Sequence, residues 1–154
     1  MRQIVPRTIA GKDTILAAAA KGDTRAVLAL VKSGTNPNTT DARGATPVWV
    51  AAENGHTQTV RALVNECGAD ASTPKEGGET PVCAAAFSGH TDTVRAIVNE
   101  CGTDASTPKE GGETPVFAAA FSGHTDTVRA GEGVPRQPRH RRRFGLNPGR
   151  HCGA

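Results

Sequence analysis

Histidines recur in this 154-residue chain at a fixed interval. His56, His90 and His124 stand 34 residues apart, a spacing that could build a ladder of metal ligands. If this interval marks repeated helical units that stack on one another, equivalent residues lie about 10 Å apart. Zinc, in contrast, needs its ligands within ~2.1 Å of one ion. The spacing therefore favours a structural role for each histidine, at the start of a second helix, and we predict no metal site.

Other residue groups that could support catalysis or nucleotide binding are incomplete. His90 is followed by Asp92 and His124 by Asp126, but no serine or cysteine nucleophile stands at a recognisable turn. Residues 11–14 lack the upstream glycine and the Ser or Thr after lysine that a phosphate-binding loop needs. We therefore predict no catalytic residue, no cofactor and no enzymatic activity.

The spacing of the four cysteines predicts free thiols. It indicates neither a zinc site nor a disulfide framework. Cys67, Cys83, Cys101 and Cys152 form no CxxC pair, and we expect Cys83 to be a small buried apolar side chain. No apolar run approaches the ~20 residues of a membrane helix, and residues 1–12 lack the apolar stretch of a secretory signal. We expect an intracellular protein, cytoplasmic or nuclear and not secreted.

The chain contains an internal tandem duplication. Residues 63–96 and 97–130 differ at only three of 34 positions, and a Thr-Pro pair stands at 46–47, 80–81 and 114–115. Such a period is the signature of stacked structural repeats. We divide the chain into an N-terminal extension (1–12), three units (13–45, 46–79 and 80–113), a partial fourth unit (114–130) and a tail (131–154).

Each unit has the pattern of two short helices. Thr46 suits an N-cap and Pro47 the first helical position, and Gly55 can adopt the left-handed conformation that ends the helix. Thr57 can cap a second helix that ends at Gly68, with apolar residues at i, i+3 and i+4. Because two short helices bury too little apolar surface to fold alone, neighbouring units must stack, which predicts an all-α solenoid.

The second unit resembles the ankyrin repeat, whose pattern is TPLHxAAxxGH…V…LL…GAD. Residues 46–56 read TPVWVAAENGH, and the rest of the pattern is matched at 60, 63–64 and 68–70. The resemblance extends over residues 13–130. It implies an ankyrin-repeat α-solenoid of stacked helix-turn-helix units joined by hairpin-like loops.

Two features depart from the family pattern. The histidine of the TPLH motif is replaced by Trp49, Cys83 and Phe117 in successive units, so we expect apolar packing in place of its hydrogen bonds. The second and third units also carry an extra residue, Cys67 or Cys101, just before the glycine that ends the second helix. This insertion predicts a slightly extended helix end.

The repeat pattern stops within the fourth unit. The duplicated sequence runs to Ala130, and the chain continues as GEGVPRQPRHRRRFGLNPGRHCGA, a composition that predicts a disordered segment. The abrupt change leaves open whether residues 131–154 are a genuine tail or a frameshift or splice product, and whether the fourth unit folds. Since only half a unit covers the third, we expect this end of the array to be frayed and partly exposed.

The resemblance implies a non-enzymatic scaffold that binds a protein partner along a concave face lined by loop tips and the ends of the first helices. The matching loop-tip positions are Ala42, Arg43, Ala45, Glu76, Gly77, Glu79, Glu110, Gly111 and Glu113. The matching helix-end positions are Glu53, Asn54, Phe87, Ser88, Phe121 and Ser122. Two of the three tips are acidic, which favours a basic partner. Phe87 and Phe121 are interpreted as binding anchors or, alternatively, as rings packed against a neighbouring loop.

An alternative function depends on the tail. Residues 1–130 have a formal charge of −2, whereas residues 131–154 carry +5. The tail positions that could direct nuclear import or contact nucleic acid are Arg139, Arg141, Arg142 and Arg143. Nucleic acid is the less favoured partner, because the tail lacks interleaved aromatic residues apart from Phe144. A truncated product without independent function is the third possibility, and the sequence leaves partner identity, pathway and oligomeric state open.

We predict weaker amide protection at the C-terminal end of the array. Because the fourth unit lacks the neighbour that its apolar face requires, residues 114–130 should exchange their amide protons faster than residues 46–64. Native-state hydrogen exchange read by mass spectrometry compares both segments in one sample. Equal protection of the two segments would contradict the expectation.

Overall fold

The computed structural model describes residues 11–103, 108 and 110–131. Within them the helices are, in chain order, α1 (Gly11–Lys21), α2 (Thr24–Lys32), α3 (Pro47–Glu53), α4 (Thr57–Arg61), α5 (Pro81–Phe87), α6 (Thr91–Asn99), α7 (Pro115–Phe121) and α8 (Thr125–Gly131). A π-helical segment, Ala62–Glu66, continues α4 directly. The described residues contain no strand, so the predicted all-α class is confirmed. Helix α1 begins at Gly11, inside the segment predicted as an extension.

The helices form four consecutive pairs arranged in two layers. The first helices of the pairs, α1, α3, α5 and α7, contact one another in chain order, and the second helices, α2, α4, α6 and α8, do the same. The loops between pairs connect the second helix of one pair to the first helix of the next. This is the stacking that the 34-residue period predicts.

Each of the first helices α3, α5 and α7 begins as the sequence predicts. The hydroxyl groups of Thr46, Thr80 and Thr114 accept a hydrogen bond from the backbone N–H three residues on, and a proline follows each threonine. Gly55 closes α3 with φ of +76°. Helix α3 therefore has the predicted length of about two turns.

The core lies between the two layers and consists of small aliphatic side chains. Equivalent positions in successive repeats are wholly buried, as the pairs Val48 and Val82, Val60 and Val94, and Leu63 and Ile97 illustrate. Alanines fill the remaining core positions of α3 and α5, so these neighbouring helices can approach closely. One apolar strip therefore runs through the stack, and each repeat contributes a short length of it.

The threonine predicted to cap α4 has a different role. His56 occupies the N-cap position without a side-chain capping bond, and Thr57 is the first helical residue. The Thr57 hydroxyl bonds to the hydroxyl of Thr93 in the next repeat, with 2.7 Å between the oxygens. The same bond joins Thr24 to Thr59 at 2.8 Å and Thr91 to Thr127 at 2.7 Å. The capping prediction is wrong because this hydroxyl connects two repeats.

The extra residue of the second repeat forms a π-helical turn. The N–H of Cys67 donates to the carbonyl of Ala62, five residues back, at 3.1 Å, and Cys101 bonds to Ala96 in the same way. A π turn holds one residue more than an α turn, so the insertion fits without moving Leu63 out of the core. The predicted extension of the helix is therefore a local widening of its last turn.

His56 and His90 each form a hydrogen bond with the preceding repeat. The Nε2 atom of His56 donates to the Ala20 carbonyl at 2.9 Å, and that of His90 donates to the Glu53 carbonyl at 3.0 Å. A Cβ added to Gly55 would lie 2.6 Å from the His90 ring, so the imidazole packs directly on this glycine. The structural role predicted for these two histidines is confirmed.

We predict that Gly55→Ala destabilises the protein more than Gly68→Ala. Both glycines have positive φ, +76° and +70°, so each substitution introduces about 1–2 kcal/mol of backbone strain. Only at Gly55 would the new methyl group also displace His90 from the Glu53 carbonyl, which adds about 1 kcal/mol. Urea unfolding followed by far-ultraviolet circular dichroism measures both variants. Equal losses of unfolding free energy would show that the histidine contact is unimportant.

Candidate protein-binding site

The loop-tip positions predicted to face a partner differ in exposure. Ala42, Arg43, Glu76 and Glu110 are exposed, whereas Glu79 and Glu113 are half-buried. Ala45 is completely buried because it packs against Trp49 and Ala84, and its N–H donates to the Asp41 carboxylate at 2.9 Å. The prediction that Ala45 contacts a partner is therefore wrong.

The helix-end positions lie on the surface. Glu53, Asn54 and Ser88 are exposed and Ser122 is half-buried. The side chains of Phe87 and Phe121 are 53% and 77% exposed. Neither ring is buried against a neighbouring loop, so the packing alternative does not describe these two residues.

An aromatic pocket lies between α5 and α7. It has a volume of about 280 Å³, and its lining includes Phe87, Phe117 and Phe121 together with Glu79 and Glu113. The rings of Phe117 and Phe121 stack with centroids 6.1 Å apart and planes inclined by 22°. The pocket therefore joins aromatic faces and acidic groups on one surface.

Phe117 belongs to this pocket although the sequence places it among interior positions. Its equivalents Trp49 and Cys83 are 1% and 2% exposed, whereas Phe117 is 51% exposed. Each interior equivalent faces the following repeat, and no further helix pair covers α7 within the described residues. The end of the repeat pattern after Ala130 was the sequence signal that could have identified Phe117 as an exposed residue.

A cation binds an aromatic ring inside the second repeat. The Lys75 Nζ atom lies 3.9 Å from the Trp49 ring centroid and 2.9 Å from Glu79 Oε2. We call Trp49, Lys75 and Glu79 the internal cation site. The counterpart of this lysine in the third repeat, Lys109, lies outside the described residues.

Trp49 replaces the family histidine by apolar packing, as predicted. The indole packs against Ala45, Val50 and Ala84, but its Nε1 atom is buried without a hydrogen-bond partner. A buried unsatisfied donor costs about 1–3 kcal/mol. The contact with Lys75 and the burial of a large ring offset this cost.

The loops between repeats stack on one another. The Glu76 N–H donates to the Arg43 carbonyl at 3.0 Å, and the Asp70 N–H donates to Asn38 Oδ1 at 2.8 Å. Hydrogen bonds from Ser72 lower the pKa of Asp70, which keeps this loop carboxylate ionised. Consecutive loops are therefore held at a fixed separation, and their acidic tips lie in a row.

A salt bridge on the second-helix layer also links two repeats. Arg61 donates through Nε and NH2 to both oxygens of Glu100, at 2.7 and 2.6 Å. These hydrogen bonds lower the pKa of Glu100 and raise that of Arg61. The pair is partly exposed to solvent, so its main effect is to fix the geometry of α4 against α6.

The thiols of Cys67 and Cys101 are not activated for nucleophilic attack. Burial raises the pKa of the Cys67 and Cys101 thiols, which keeps these groups protonated and weakly nucleophilic. Residues 11–103, 108 and 110–131 contain no cluster of three or more histidine, cysteine or acidic side chains that could hold a metal ion. No described helix is long and apolar enough to cross a membrane. The tail positions Arg139, Arg141, Arg142 and Arg143 lie outside the described residues.

Four stacked helix pairs, with hydrogen bonds repeated from one pair to the next, define a helical repeat protein of the solenoid class. The family model described as Ankyrin repeats (3 copies) matches residues 15–109 and 67–130. The chain therefore belongs to the ankyrin repeat family. Ankyrin repeats generally mediate protein–protein interactions and are typically non-enzymatic. None of the curated proteins compared with the chain matches it.

We predict that Lys75→Ala weakens the fold slightly and exposes the indole of Trp49. The loss of the cation should reduce the unfolding free energy by about 0.5–1 kcal/mol. The chain has one tryptophan and no tyrosine, so intrinsic fluorescence reports Trp49 alone, and its emission should move to longer wavelength. Urea unfolding followed by fluorescence measures both effects. Lys32→Ala, which changes an exposed lysine of α2, is the matched control and should leave the emission maximum unchanged.

Proposed function

We propose that this ankyrin-repeat chain is a non-enzymatic binding module that holds a protein partner along the face formed by its loop tips and first helices. The observation that carries the proposal is the cluster of Phe87, Phe117 and Phe121, each of which is more than half exposed. Burying a phenylalanine side chain completely contributes about 1.5–3 kcal/mol, so a partner that covers these rings gains substantial binding energy.

The module binds its partner through complementary surfaces and catalyses no reaction. An apolar or cationic group of the partner enters the aromatic pocket, and exposed residues around it supply polar contacts. The proposed contacts are Ala42, Arg43, Glu53, Asn54, Glu76, Glu79, Phe87, Ser88, Glu110, Glu113, Phe117, Phe121 and Ser122. The carboxylates of Glu76 and Glu110 at the exposed loop tips favour a basic partner and accelerate its association.

Function through the arginine-rich tail stays an alternative, and none of the described residues provides an observation in its favour. Partner binding that survives truncation after Ala130 and tolerates high salt would support the module, whereas steeply salt-dependent binding lost on truncation would support the tail. The proposed cytoplasmic or nuclear location depends on cysteine usage in the sequence.

We predict that the double variant Phe87→Ala, Phe121→Ala loses the partner and retains the fold. Phe87 is 53% exposed and Phe121 is 77% exposed, so the loss of unfolding free energy should be only about 1–2 kcal/mol, whereas the loss of two anchors should reduce binding at least about tenfold. Immobilised chain is incubated with cell lysate, and retained proteins are quantified by mass spectrometry. Thermal unfolding by circular dichroism checks each variant.

A matched control changes two exposed arginines that stand at equivalent positions in the layer of second helices. Arg95→Ala with Arg129→Ala alters α6 and α8 and should retain the partner fully. A large loss of stability in the phenylalanine variant would instead assign the two rings to the core. Unchanged retention in that variant would contradict the proposed site.

A further inference from the structure

The internal cation site provides a precedent for what the aromatic pocket can bind. In the second repeat, the ring of Trp49 holds the ammonium group of Lys75, and Glu79 neutralises that charge. Phe117 stands at the same repeat position, 68 residues later, and its ring is 51% exposed. An aromatic ring at this position can therefore hold a cation, and the ring of Phe117 is accessible to one from outside.

The electrostatics of the pocket favour a positive group. Aromatic faces attract cations, and Phe87, Phe117 and Phe121 line one cavity with Glu79 and Glu113. An ionised carboxylate offers about four acceptor sites, so the contact with one lysine leaves Glu79 capacity to accept further hydrogen bonds. A cation in the pocket would thus meet π faces and carboxylate oxygens together.

We propose that the aromatic pocket binds the guanidinium group of an arginine in an extended segment of the partner protein. This inference rests on the protein-binding function proposed above and specifies the chemistry of the partner. A guanidinium is planar, stacks on aromatic faces and donates two parallel hydrogen bonds to a carboxylate, whereas an ammonium group is a compact and strongly hydrated charge. The stacked rings of Phe117 and Phe121 beside Glu113 suit the planar group.

The spacing of the acidic loop tips sets the spacing of basic residues in the partner. Glu76 and Glu110 are exposed on consecutive loops, and consecutive repeats lie about 10 Å apart. An extended chain advances about 3.3 Å per residue, so one repeat corresponds to about three residues. A partner segment that contacts both tips therefore carries two basic residues about three positions apart, in addition to the pocket arginine.

The phenylalanine rings provide a direct probe of the pocket. The chain has four phenylalanines, and three of them line this cavity. Full-length protein with ¹³C-labelled phenylalanine rings is titrated with acetyl-Gly-Arg-Gly-amide and separately with the citrulline analogue, which has the same shape without the charge. We expect saturable shifts of the Phe117 and Phe121 signals, with binding of the citrulline analogue about tenfold weaker.

Two variants assign the effect to the pocket. Glu113→Gln should weaken binding of the arginine peptide several-fold, whereas Glu66→Gln removes the same charge from an exposed position at the end of the π-helical segment, outside the pocket and the proposed contacts, and should change it less than about twofold. Phe117→Leu preserves apolar volume and removes the π face, so it should also weaken binding. A thermal melt confirms that each variant is folded, and the phenylalanine variant keeps the test valid if Glu113→Gln does not fold.

Specific outcomes would overturn the inference. Equal binding of the arginine and citrulline peptides, or full binding by Phe117→Leu, would exclude a guanidinium site. Ring signals of the unliganded chain that move when Arg139 and Arg141 are changed to glutamine would show that the chain's own arginines occupy the pocket, which would overturn the assignment to a partner protein. If the Phe87→Ala, Phe121→Ala variant loses the partner from lysate but the arginine and citrulline peptides bind equally well, this inference fails and the proposed function survives.

Discussion

The structure depends on the burial of apolar surface between neighbouring repeats. A pair of helices such as α3 and α4 cannot enclose its own valines and leucine, and these side chains become buried only when the next pair covers them. The core is accordingly one strip shared along the stack. Burial at the interior positions of the described repeats therefore depends on whether a neighbour is present, and the exposure of Phe117 in the last repeat follows from this condition.

Polar contacts then fix how each repeat sits on the one before. The His90 bond to the Glu53 carbonyl and the bond between the Thr57 and Thr93 hydroxyls connect residues about one repeat apart and recur along the stack. Apolar burial alone is not directional, whereas these hydrogen bonds define a register. With the register fixed, the loop tips line up, and Glu76 and Glu110 form an acidic row beside the pocket.

The proposed binding site arises where the regular packing stops. Trp49 and Phe117 occupy the same repeat position, but Lys75 covers the ring of Trp49, whereas the ring of Phe117 is exposed. Two repeats thus carry an aromatic residue at the same position, and Phe117, the one in the last helix pair of the described residues, is exposed. Phe87 and Phe121 lie beside it because their positions at the helix ends face away from the core in every repeat.

The helix pairs and the repeat period could be predicted from the sequence, because caps, glycines and apolar spacing act within a few residues. The three-dimensional packing was needed to show that Phe87 and Phe121 are exposed, that Ala45 is buried, that Phe117 joins the pocket and that Lys75 covers Trp49. These features depend on side chains from another repeat or from a distant loop. Local patterns do not encode such contacts, since the packing of each repeat is set by its neighbour.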